Sequence, residues 1–237
     1  MASRKSSILQ KCIAALMLVV LLCGASVPAY AATETNAVEM QAAEVQALKK
    51  KTVIIGDSRT AQLREVRTGD LTKDLIAQEG SILWDYKWGA KFTDLATNLI
   101  PRLEFSGLDT INNKTTIVVW MGYNDTSNLP TATANDYVNY LNLMTALWTA
   151  RGARVFIMNV GPSGNKKGAT DAQKLGYESR NQLIRSFNKT LKDGLSAQAT
   201  YLDCYGFLMR TGYATTDGTH YKPITTKSVW RFLMQNI

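Results

Sequence analysis

Short, nearly unbroken apolar runs recur at residues 52–55, 116–121 and 154–160, with a weaker one at 200–203. β-Branched residues fill the first three, as expected of strands buried on both faces. A further strand is predicted around 82–84. Between these runs the period changes. Leu63 and Val66 mark a helical stretch after the first run, Tyr137, Leu141, Met144 and Trp148 fall at helical spacing, and Ile184, Phe187 and Leu191 do the same. Pro223 is placed to open a last helix carrying Trp230, Leu233 and Ile237, because the first turn of a helix has no use for the missing N–H. Strands alternating with helices of this length predict an α/β domain with helices on both faces of a parallel sheet, since parallel strands need crossover connections. In such a sheet the working groups gather beyond the carboxyl ends of the strands.

The two ends of the pattern are different. Residues 1–31 read as a secretory signal: Arg4, Lys5 and Lys11 form a basic segment, residues 12–22 an apolar one, and Ala29-Tyr30-Ala31 a small-x-small cleavage site. The apolar run is shorter than the roughly 20 residues that span a bilayer, so no stable membrane insertion is expected after cleavage. Residues 32–51 contain no aromatic residue, glycine or proline and read as a spacer. That leaves 52–237 as a single domain, within the 237-residue, 46% apolar chain. Cys12 and Cys23 leave with the signal. Cys204 alone remains, so the exported form has no internal disulfide, and this cysteine is expected to be a buried small residue.

Charge adds little. Without the signal the chain has 24 basic and 19 acidic residues, a net +5. This mild excess fits either a solvated basic face or attraction to anionic surface polymers and acidic glycans. No basic-aromatic motif and no zinc-ligand spacing is present, so neither nucleic acid nor a metal is expected as a partner.

The first apolar run stops at Gly56-Asp57-Ser58. Asp57 or Ser58 is suited to cap the helix that follows, and Gly56 eases the turn. Ser58 is equally a candidate nucleophile, provided a base takes its proton. The one histidine of the chain, His220, lies in a loop before Pro223 with Asp217 three residues upstream. One turn can aim both side chains the same way, with the carboxylate on one ring nitrogen and the other nitrogen free for the serine. Beyond the strand ending near Met121 comes Gly122-Tyr123-Asn124-Asp125, which places the Asn124 amide to donate to a developing oxyanion. Gly89 offers a backbone N–H without an intervening Cβ.

The order Gly56-Asp57-Ser58, Gly89, Gly122-Tyr123-Asn124-Asp125 and Asp217-Gly218-Thr219-His220 resembles the SGNH hydrolase family of GDSL esterases and lipases over about 52–237. The resemblance implies a three-layer α/β/α sandwich with a mostly parallel, flavodoxin-like sheet. It implies Ser58 as nucleophile, His220 as general base and Asp217 as its orienting partner. The Ser58 and Gly89 N–H groups and the Asn124 side chain would form the oxyanion hole, and no cofactor is required. Asp57 and Asp125 are expected to bond the backbone around their turns. Arg59 departs from the leucine of the family's title motif; a side chain pointing to solvent is expected over one that selects an anionic substrate.

The expected reaction is hydrolysis of an ester outside the cell or at its surface, most plausibly of a small acyl group such as acetyl on a carbohydrate. Lipid-ester hydrolysis, acyl transfer to a surface polymer and non-catalytic glycan binding are the alternatives. Trp84, Tyr86, Trp88, Tyr123, Tyr213 and Tyr221 serve either as a platform for sugar rings or as core and rim packing. Residues 161–170, polar, basic and glycine-rich, are expected to form a mobile edge of the pocket.

Overall fold

The computed structural model describes residues 51–105, 111–126 and 130–237, so the predicted signal and nearly all of the predicted spacer lie outside the described residues. Six strands form one sheet: β1 (Lys51–Gly56), β2 (Asp74–Glu79), β3 (Ile82–Lys87), β4 (Thr115–Trp120), β5 (Arg154–Met158) and β6 (Ala199–Leu202), in the order β2-β3-β1-β4-β5-β6. All pairings are parallel except that of β2 with β3. The helices are α1 (Ser58–Thr68), α2 (Phe92–Asp94) running through a π-helical turn (Leu95–Leu99) into α3 (Ile100–Phe105), α4 (Pro130–Ala150), α5 (Asp171–Gly194), α6 (Cys204–Thr211) and α7 (Pro223–Asn236).

Alternation along the central strands divides the core into two. Val53, Ile55, Ile117, Val119, Val155 and Ile157 meet α4 and α5 through Tyr137, Leu141, Trp148, Ile184 and Phe187. The intervening Ile54, Val118, Trp120, Phe156 and Met158 meet Ala61, Leu63, Leu208, Val229 and Leu233 of α1, α6 and α7. The sheet is therefore the middle of three layers, and burial of both its faces is why these strands read as unbroken apolar runs.

The sequence reading omits three elements. β2 is the antiparallel edge strand, half-exposed and bounded by Asp74 and Glu79. Arg102 ties it to the sheet, bonding Asp85 Oδ1 at 2.7 Å, Asp74 Oδ1 at 2.6 Å and the carbonyls of Leu75 and Tyr86. The segment α2 to α3 and the short α6 are the other two. Cys204 is fully buried, and burial pushes its thiol up to about 12. Among the described residues no helix is long and apolar enough to cross a membrane.

Candidate active site

Three neighbouring strands deliver three loops to one edge of the sheet: β3 leads to Gly89, β1 to Ser58 and β4 to Asn124. The turn after β1 is tight. A Cβ on Gly56 would run into the Thr60 side chain and sit 2.7 Å from the Trp120 carbonyl, so only glycine lets β1, α1 and β4 approach this closely. Asp57 is the N-cap of α1, its carboxylate accepting from Arg59 N at 2.9 Å. Burial pushes that carboxyl up to about 6, against the pull of the Arg59 N–H and guanidinium. With the cap supplied by Asp57, Ser58 is free to open the first turn of the helix, where the aligned peptide dipoles favour negative charge.

The fourth loop comes from far along the chain and brings Asp217 and His220. Asp217 Oδ1 accepts from the N–H groups of Thr219 and His220, both at 2.8 Å, and so sets the turn. Its Oδ2 lies 2.6 Å from His220 Nδ1, and His220 Nε2 lies 3.0 Å from Ser58 Oγ. Burial raises the Asp217 carboxyl, but the hydrogen bonds from the ring and the two N–H groups outweigh it and hold the group below the usual carboxylate range. Trp88 stacks on the imidazole with ring centres 4.7 Å apart.

Asn124 stands in a 3₁₀ turn (Tyr123–Asp125) entered through Gly122 at φ 116°. Its amide donates to the Ala90 carbonyl at 3.0 Å, which fixes the side chain and leaves the second amide hydrogen available. Asp125 accepts from Phe92 N, which with the Asn124–Ala90 bond joins the β3 and β4 loops twice, and from the Tyr137 hydroxyl of α4, each at 2.9 Å. Burial raises Asp125, its two hydrogen bonds opposing. Gly89, at φ 72°, lies one residue before the Ala90 carbonyl that holds Asn124. No group of three or more His, Cys, Asp or Glu side chains gathers to hold a metal ion among the described residues.

Two expectations need correction, and one open alternative is decided. Arg59 does not point to solvent. It is 2% exposed, donates to the carbonyls of Gly161 (2.8 Å), Pro162 (3.1 Å) and Thr219 (3.0 and 3.2 Å), and lies over the rings of Tyr123 and Tyr221 at 4.0 and 4.5 Å. The Gly161 and Thr219 carbonyls draw the cation inward, and the Pro162 carbonyl shares it with the Tyr221 hydroxyl at 2.9 Å. The signal was present: Arg59 precedes the core residue Leu63 by four positions and shares its helix face. Of the two alternatives for the aromatic residues, packing holds for Trp84, Tyr86 and Tyr221, which are core residues, and for the buried Tyr123, while Trp88 and Tyr213 are partly exposed. Finally, Gly161, Pro162, Ser163 and Gly164 are not a mobile edge but a buried, hydrogen-bonded strut, with Ser163 bonded to Asn181 and Gly218.

No family model matches the sequence, and no curated protein matches it. Solved structures do. The chain is similar to a protein of Slackia heliotrinireducens assigned as an SGNH hydrolase (16% identity, 79% of this chain and 98% of that one, TM-score 0.54). It is similar to one of Bacteroides fragilis assigned as an acylhydrolase (16%, 83% and 93%, TM-score 0.53). A GDSL-like lipase of Bacteroides thetaiotaomicron also matches (14%, 83% and 95%, TM-score 0.50). With its mostly parallel sheet between two helical layers, this chain has the α/β fold of the SGNH hydrolases.

Proposed function

We propose that the protein is a serine esterase of the SGNH hydrolase family, exported and processed near residue 31, that removes a small acyl group, most simply acetyl, from a carbohydrate or cell-surface glycan. The observation that carries the reading is the continuous chain Asp217–His220–Ser58, with links of 2.6 and 3.0 Å. Ser58 attacks the ester carbonyl while His220 Nε2 takes its proton, and Asp217 holds the ring and stabilises the imidazolium. The tetrahedral oxyanion is received by the Ser58 and Gly89 N–H groups and the free hydrogen of the Asn124 amide. Collapse releases the alcohol, protonated by His220, and water activated by the same histidine frees the acid from the acyl-enzyme.

The test is hydrolysis of p-nitrophenyl acetate and longer-chain esters by the protein and by folded Ser58→Ala and His220→Ala variants. Activity on short chains that both substitutions abolish is expected. Activity that survives both substitutions overturns the site, and a folded protein inactive on aryl esters and on acetylated glycans overturns the esterase reading.

A further inference from the structure

A cavity of about 530 Å³ lies beside the triad, between α5 and the loops that carry Asn124 and His220. Gln173, Tyr177 and Arg180 line it from the helix, and Tyr123, Ser163 and Thr219 from the loops. Tyr123 immediately precedes Asn124, and Thr219 immediately precedes His220, so two of its walls continue into the proposed reaction centre.

Two guanidiniums lie over the Tyr123 ring, Arg59 at 4.0 Å and Arg180 at 4.8 Å. They are satisfied very differently. Arg59 is spent on three carbonyls, whereas Arg180 makes one hydrogen bond, from Nη2 to the Tyr123 carbonyl at 2.8 Å, and its Nε is buried with no partner. The acids on the same helix are engaged elsewhere, Glu178 with Arg185 at 2.8 Å and Asp171 with Lys174 at 2.9 Å. No carboxylate pairs with Arg180 among the described residues. A planar fork with unused donors, on the wall of a cavity lined by an amide and hydroxyls, is suited to a bidentate oxyanion on a sugar.

We infer that this cavity is the subsite for an anionic group, a carboxylate or a phosphate, on the acylated glycan, with Arg180 as its anchor. The inference depends on the esterase reading only for what the group is attached to. The net charge of +5 over 32–237 favours the same class of polymer at longer range.

Binding without turnover tests it, by calorimetry on the Ser58→Ala protein with paired probes: trigalacturonate against a neutral galactose trimer, and glycerol 1-phosphate against glycerol. One charged probe should bind roughly 10-fold or more tightly than its neutral counterpart, as a charge-assisted contact warrants; which pair shows it identifies the source of the charge. Arg180→Gln should erase the preference and Arg180→Lys reduce it, the latter serving alone if the former does not fold. Equal or absent binding of charged and neutral probes, or a preference unchanged by the substitution that folds, overturns the subsite. A charge preference in a protein without esterase activity would retain the subsite and overturn the esterase reading.

Discussion

Arg59→Met removes the guanidinium and keeps most of the aliphatic stem. Its four hydrogen bonds reach the carbonyls of Gly161, Pro162 and Thr219. The Gly161 and Thr219 carbonyls, left without this donor, cost about 1–3 kcal/mol each, the Pro162 carbonyl keeps the Tyr221 hydroxyl, and the contacts with the Tyr123 and Tyr221 rings are lost as well. The folded state is also relieved of a desolvated cation, whose burial costs several kcal/mol, so the net loss of stability should be about 2–4 kcal/mol. Lysine is the sharper comparison. It retains the charge and the cost of burying it, but its donors radiate from one atom and cannot span three carbonyls, so Arg59→Lys should be no more stable than Arg59→Met. Because Thr219 adjoins His220, the second consequence is kinetic: the imidazole loses its fixed place beside Ser58, and kcat on p-nitrophenyl acetate falls at least about 10-fold with little change in KM. Urea unfolding followed by tryptophan fluorescence gives the first quantity, and steady-state hydrolysis well below the transition gives the second. Wild-type stability in Arg59→Met, full rescue of stability by lysine, or an undiminished kcat in the folded fraction would refute the reasoning.

Asn124→Ala should lower kcat roughly 100- to 1000-fold through loss of one oxyanion donor, with a thermal midpoint lowered by no more than about 5 °C, as loss of its one bond to Ala90 warrants, separating this from misfolding. Burial raises Asp57 to about 6 and Asp85 to about 7, above their unfolded values, so between about pH 4 and 7 the folded state binds more protons than the unfolded one. Stability should therefore fall as pH rises through that window, and Asp57→Asn should flatten the lower part of the fall; unfolding midpoints at pH 4.5 and 7 that rise instead would contradict it. Gly122→Ala would place a Cβ 2.7 Å from Phe187 Cζ at φ 116°. With about 1–3 kcal/mol of backbone strain and the clash added, the thermal midpoint should drop by roughly 5–10 °C, as calorimetry can check.

What the sequence disclosed follows from where each residue is buried. β1, β4 and β5 were legible because both faces are covered, whereas β2 carries carboxylates at its ends and only half-buries its apolar residues. Its hairpin did leave a trace, the Gly80-Ser81 pair that joins it to β3 with Gly80 at φ 60°. The segment 92–105 is broken by a π-helical turn before Pro101, so it lacks a regular helical period to read. Ser58, Asp217, His220 and Asn124 stood out because their chemistry is uncommon at the ends of strands and in a short loop. Arg59 stood out as a departure from the motif, and its spacing from Leu63 marked the inner face, but an arginine is by default a surface residue and only tertiary structure shows carbonyls converging on it. Arg180 was silent for the same reason.

The serine and its histidine are separated by 162 positions, with nearly the whole sheet between them in the chain. The Asp217 loop leads into α7, and Gln62 of α1 exchanges hydrogen bonds with the Tyr221 backbone at 3.0 and 3.2 Å where that segment docks. On the proposed mechanism Ser58 is thus an ordinary alcohol until the segment that carries His220 docks beside it. On the same mechanism a chain in which that segment is missing or undocked is latent, with no separate inhibitor needed to keep it so.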